Sequence, residues 1–298
     1  MLISFGYDIT LYLPAETAII FTLNVHPSRK NDLVEDEQFK IEPNIPVQGY
    51  FDSFGNHCNR IRCPAGSLRL SSSGLIRDKG EWDPYVPNAS QIDVLDLPPE
   101  LLPFLLSSRY CEVDSELGAF AWANFSTINP GWARVQAICN FVHHHLIFDY
   151  QRARANRTAL EAFHERVGVC RDFTHLAIAL CRCLNIPARY VTGYLGDIGI
   201  PPEPFPMDFC AWMEVYLDGR WHTFDPRNNR RRMGRIVVAY GRDASDVALT
   251  TIFGNHYLDK FKVFTIEADS AVLADNQKVN SDKDKESLAN ADLALQSL

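Results

Sequence analysis

The stretch Gly168-Val169-Cys170-Arg171-Asp172-Phe173 constrains this chain more than any other, because it places a cysteine where a sharp turn runs into a buried helix. Gly168 allows the turn. Phe173, Leu176, Ala177, Leu180 and Leu184 then recur at helical spacing, and Asn185 and Pro187 stop the helix. A thiol at a helix N-terminus meets unpaired backbone N–H groups and the positive end of the dipole, so its thiolate is favoured. The stretch therefore offers Cys170 as a nucleophile.

Residues Phe209 to Asp225 read as a hairpin with Asp218-Gly219 as its two-residue loop. That loop sets Leu217 opposite Arg220, Tyr216 opposite Trp221 and Trp212 opposite Asp225. Side chains alternate along a strand, so Cys210, Trp212, Glu214 and Tyr216 share one face with Trp221, Thr223 and Asp225. Cys210 is then a diagonal neighbour of Asp225, while Met213 and His222 point the other way.

The rest of the chain predicts an α+β protein. Short strand-like runs at Thr10–Leu13, Ala18–Val25 and Gly66–Leu70, separated by turn residues, suggest a sandwich-like β-rich N-terminal domain over residues 1–100. Pro84, Pro87, Pro98, Pro99 and Pro103 mark a connector with little regular structure. The core is expected over 101–267. Within it, Asn129 and Pro130 open a helix with the buried stripe Val135, Ile138, Val142 and Leu146. Thr158 to Glu161 has the spacing of a capping box, and a strand runs from Ala188 to Tyr194. From 268 to 298, charged, Ala, Asn and Ser residues suggest a mobile tail.

Charge and cysteine usage narrow the function classes. A net charge of −8 argues against a general nucleic-acid binder. Arg227 to Arg235 is locally basic, either as a solvated loop or as a site for acidic substrate groups. No segment approaches the ~20 apolar residues that span a bilayer, so no membrane partner is expected. Met1-Leu2-Ile3-Ser4 lacks a basic leader region, and eight cysteines then suggest reduced thiols in the cytoplasm. Their spacing is poor for metal, and adjacent His143, His144 and His145 cannot all face one ion. No metal or cofactor is expected.

Four motifs in order carry a resemblance: Gly168-Val169-Cys170-Arg171-Asp172-Phe173-Thr174-His175-Leu176, Ile186-Pro187-Ala188-Arg189-Tyr190-Val191-Thr192-Gly193-Tyr194, Ala211-Trp212-Met213-Glu214-Val215-Tyr216 and Trp221-His222-Thr223-Phe224-Asp225. Over about 130 to 265 the chain resembles bacterial transglutaminase-like proteins. The resemblance implies a papain-like core, a nucleophile helix packed on an antiparallel sheet, with a Cys-His-Asp triad. Carried over by position, Cys170 is the nucleophile and Asp225 the orienting carboxylate. The place of the basic histidine, before Ala211-Trp212, holds Cys210. His175 lies about 140° round the helix from Cys170 and fits packing better than catalysis. Trp212 and Trp221 are wall residues that could line the substrate cleft.

Three readings follow. The first is a cysteine enzyme acting on amide bonds of a peptide or protein, by hydrolysis or acyl transfer, with a degenerate triad. The second is a silent relative that binds a peptide or protein partner. The third is a thiol switch between Cys170 and Cys210.

Overall fold

The computed structural model describes residues 1–202 and 207–268; the expected tail therefore lies outside the described residues save for Ala268. Strand β1 (Leu2–Leu13) shows why the chain starts as a sheet. Ile3, Phe5, Tyr7, Ile9, Leu11 and Leu13 alternate along it, and all six are buried. Strands β2 (Thr17–Phe21), β3 (Lys40–Glu42), β4 (Gln48–Phe51), β5 (His57–Cys63) and β6 (Gly66–Arg77) follow. β6 pairs antiparallel with β1 from Leu2↔Arg77 to Leu13↔Gly66. After it runs a proline-rich connector with two short 3-10 turns, Val94–Asp96 and Pro99–Leu105. Its Leu97, Leu101 and Phe104 form a small apolar cluster against Tyr216 and Trp221.

Helices α1 (Glu116–Phe125) and α2 (Trp132–His145) come next. α2 starts later than the Asn129-Pro130 signal predicts, because Gly131 caps it at φ 110°. A Cβ there would meet the Ala89 carbonyl oxygen at 2.3 Å, so the connector packs on bare backbone. Short strand β7 (Ile147–Phe148) leads to α3 (Ala159–Glu165), which opens on the expected capping box: Glu161 N–H donates to Thr158 Oγ1 at 3.3 Å, and Thr158 N–H donates to Glu161 Oε2 at 3.0 Å. Short β8 (Val167–Gly168) pairs parallel with β7 and delivers the chain to α4 (Cys170–Cys183). Asn185, at φ 60°, ends that helix.

Strands β9 (Ala188–Leu195), β10 (Phe209–Leu217), β11 (Arg220–Phe224) and β12 (Arg235–Gly241) form an antiparallel sheet in the order β11-β10-β9-β12. Phe173, Leu176, Ala177 and Leu180 of α4 and Ala211, Met213 and Val215 of β10 belong to one core. This is the helix packed on an antiparallel sheet that the resemblance implied.

The chain then returns. β13 (Thr250–Ile252) pairs with β2, and β14 (Tyr257–Glu267) pairs with β1 from Ile3↔Glu267 onward. Two four-stranded sheets result, β14-β1-β6-β3 and β13-β2-β5-β4, with Phe5 and Leu70 of one and Ile19 and Ile61 of the other in the same core. Residues 250–267 thus supply an edge strand to each of these two sheets. Local alternation marks a strand but carries no information about a partner more than two hundred residues away. Among the described residues no helix is long and apolar enough to cross a membrane.

Candidate active site

Buried polar contacts determine where Cys170 sits. Asp172, in the first turn of α4, accepts the Val169 N–H at 2.9 Å and so holds an otherwise unpaired donor. Arg157 Nη1 donates to the same oxygen at 3.0 Å, and Arg157 Nε donates to Glu165 Oε2 at 2.9 Å. Arg157 and Asp172 are both buried, with side chains 3% and 0% exposed, so the pair fixes the helix entry to α3. Gly168 is required for a close approach: a Cβ there would lie 2.5 Å from Asp172 Cβ. Cys170 is thereby the first residue of α4, half-buried, as its turn-to-helix context predicts.

The hairpin brings Cys210 to it. Asp218 and Gly219 adopt φ 53° and 81°, and Leu217↔Arg220 and Tyr216↔Trp221 pair in the expected register. Cys170 and Cys210 line one cavity of about 100 Å³ with Phe148, Tyr150, Asp208 and Phe209. The Cys210 thiol itself donates to the Ala211 carbonyl oxygen at 3.7 Å, and the two thiols in this shared cavity alter each other's titration. The Cys210 thiol, with the Ala211 backbone, lowers the pKa of Cys170 from its ordinary thiol value, against burial and the nearby Asp208 and Asp225 carboxylates. Cys210 goes the other way, pushed well up by Cys170 and by burial.

Asp225 is engaged elsewhere. Arg235 Nη2 donates to its Oδ2 at 2.9 Å, and Asn228 donates to it through its backbone N–H at 2.9 Å and its side-chain amide at 2.8 Å. Burial alone would raise this carboxyl, but Arg235 and Asn228 outweigh it and hold it below the usual carboxylate range. Arg235 Nε also reaches both oxygens of Asp83 at 3.0 Å, tying the connector to the sheet. Asp225 lines a different cavity, with Trp132, Gln136 and Cys139. The basic stretch is thus only partly a solvated loop. Arg230 and Arg231 are exposed, whereas Arg232 and Arg235 are buried in ion pairs with Asp197 and with Asp83 and Asp225.

The structure does not bring the two tryptophans to the Cys170 cleft. Trp212 is 1% exposed, packed with Val191 and Val237, with the Arg235 guanidinium 4.8 Å from its ring centre. Cys210 packs against the same cluster, so the predicted shared face is present. Trp221 faces the connector, with Phe104 at 5.4 Å and Arg189 stacked 4.2 Å over it. His175 is fully buried between Tyr110 and Tyr190, and its Nε2 accepts the Ala244 N–H at 3.1 Å. Burial pushes its pKa down to about 3, so it is a neutral core residue. His222 packs edge-on to Trp132 at 5.7 Å, and His143 bonds the Arg227 carbonyl through Nδ1 at 2.8 Å.

Sequence reasoning missed three contributors. Arg235 is the charge partner of Asp225. The Ala211 backbone helps to lower the Cys170 pKa. Asp208 lines the cleft, and burial pushes it up to about 6. The first two depend on the sheet's spatial order; Asp208 alone had a signal, two positions before Cys210 on an alternating strand.

Residues 122–226 match the family described as the transglutaminase-like superfamily. A solved structure of a Cytophaga hutchinsonii protein proposed to be a cysteine protease is 29% identical and covers 91% of both chains, with a TM-score of 0.78. An uncharacterized protein of Mycobacterium leprae is 26% identical over 196 residues, 63% of this chain and 68% of the relative. The kyphoscoliosis peptidase of Mus musculus is 31% identical over 98 residues, 31% of this chain and 15% of the relative.

Proposed function

From the chain's membership of the transglutaminase-like superfamily, carried by residues 122–226, we propose that Cys170 attacks carboxamide or peptide bonds of a peptide or protein and forms a thioester. The observation that carries this reading is the meeting of the Cys170 and Cys210 thiols at the N-terminus of α4 inside one cleft. The Cys170 sulfur adds to the carbonyl carbon. Its backbone N–H, at the first helical position, has no intrahelical acceptor and is the donor we assign to the developing oxyanion. The C–N bond breaks, and the leaving nitrogen takes a proton. Water then releases the acid, or an amine takes the acyl group.

The proton step is the weak one. Cys210 stands in the expected place of the base, but a thiol that stays protonated cannot take the Cys170 proton as an imidazole would. A triad lacking its histidine loses several orders of magnitude in rate, so the amidase reading is one of slow turnover. No nucleic acid or membrane partner is part of this reading. Eight free cysteines support a reducing, cytoplasmic setting.

The test is Cys210→His, assayed for ammonia release from a glutamine-containing peptide and for incorporation of a small amine. A gain of about 100-fold or more would support a catalytic cleft that lacks only its base. A folded variant with no gain in either assay would favour the peptide-binding reading.

A further inference from the structure

We infer that the cleft is also a hydroperoxide-reducing site, with Cys170 as the attacking thiol and Cys210 as the thiol that resolves the product into a disulfide. The inference goes beyond the amide reading and does not depend on it. Two side chains capable of this chemistry line one small cavity of about 100 Å³. Among the described residues Cys170 and Cys210 are half-buried, whereas the other six cysteines are buried. Cys170 is the first residue of α4, where unpaired N–H groups and the helix dipole favour its thiolate. Cys210, on β10, lines the same cavity as the second thiol.

The electron count closes. The Cys170 thiolate attacks one peroxide oxygen, an S–O bond forms and the O–O bond breaks; the alcohol (water, for hydrogen peroxide) leaves with a proton. Sulfur is oxidised to the sulfenic acid and the peroxide is reduced. The Cys210 sulfur, losing its proton, then attacks Cys170 Sγ, and the S–S bond forms as hydroxide leaves to be protonated to water. The sum is two thiols and a hydroperoxide going to a disulfide, an alcohol and water. An external dithiol restores the pair by exchange. Capture by Cys210 competes with a second peroxide, which would carry the sulfenic acid to the irreversible sulfinic acid.

The experiment treats the full chain with equimolar hydrogen peroxide, quenches by alkylation and maps the peptides by mass spectrometry. The expected result is a Cys170–Cys210 cross-linked peptide, two fewer thiols of the eight, and full recovery with a dithiol. Cys170 should be consumed at least about tenfold faster than any of the other six cysteines. Cys210→Ser should stop at a Cys170 sulfenic acid that a 1,3-diketone traps. Should that variant misfold, the wild-type map still decides. Wild-type Cys170 ending as sulfinic acid without a cross-link, or oxidising no faster than the buried cysteines, would overturn the inference. Neither outcome bears on the gain expected from Cys210→His, so the two readings fail separately.

Discussion

Asp225 and Arg235 form a buried ion pair, Oδ2 to Nη2 at 2.9 Å, with both side chains under a tenth exposed. The carboxylate that would orient a histidine in an intact triad holds a guanidinium instead. Removing one partner of such a pair leaves an uncompensated buried charge. Arg235→Met is therefore expected to destabilise the protein by about 3–5 kcal/mol, read from urea denaturation. Asp225→Asn combined with Arg235→Met should recover part of that loss. A single variant within about 0.5 kcal/mol of wild type would mean the pair contributes nothing.

Cys170 should alkylate along a pH curve whose midpoint lies below that of an ordinary thiol. The largest cause is the Cys210 thiol, so Cys210→Ala should move that midpoint upward. Peptide-resolved alkylation rates between pH 5 and 10, about the range in which thiols titrate, measure both. An unshifted curve in the variant would assign the effect to the helix terminus alone.

Gly168→Ala should disturb the same thiol from behind. The added methyl meets Asp172 Cβ at 2.5 Å and Oδ2 at 2.7 Å, so the carboxylate that caps α4 must shift. Overpacking of this kind costs about 1–3 kcal/mol. The expected signature is a lower Tm together with slower Cys170 alkylation; a lower Tm with unchanged alkylation would separate the cap from the nucleophile.

His175 makes stability depend on pH. Its folded-state pKa, about 3, lies below that of an unfolded histidine, so the unfolded chain binds the extra proton. Its contribution is complete above about pH 6.5 and is lost as pH falls toward the folded value, at roughly 1 kcal/mol per pH unit. Chemical denaturation at pH 7 and pH 5 should show this difference, and His175→Gln should shrink it. An equal pH dependence in the variant would place the titration elsewhere.

How far these features were legible follows from their range. The turn-to-helix context of Cys170, the capping box at Thr158 and the hairpin about Asp218-Gly219 are written in neighbouring residues, and the structure contains all three. Cys210 reaches Cys170 because the hairpin register and the helix start are both local facts brought together by the fold. Trp212 and Trp221 were assigned to the right face, but a strand's alternation does not say which part of that face a cleft opens on. Arg235 was read within a basic stretch; only the sheet order, with β12 at one edge and the connector's Asp83 beside it, reveals a buried partner for Asp225. The late start of α2 depends on Ala89, a connector residue no local signal ties to Gly131.

Ile3 pairs with Glu267, and Phe21 pairs with Thr250. These ladders bridge nearly the full described length, so they close last in any sequential emergence of the chain. During synthesis the first two sheets must wait, each short of an edge strand, while the whole thiol-bearing core is made and threaded out between them. Non-local closure of this sort is slow, and the exposed edges of β1 and β2 are the surfaces on which a nascent chain would mispair. A fragment cut at residue 226, where the family match ends, would make that waiting state permanent.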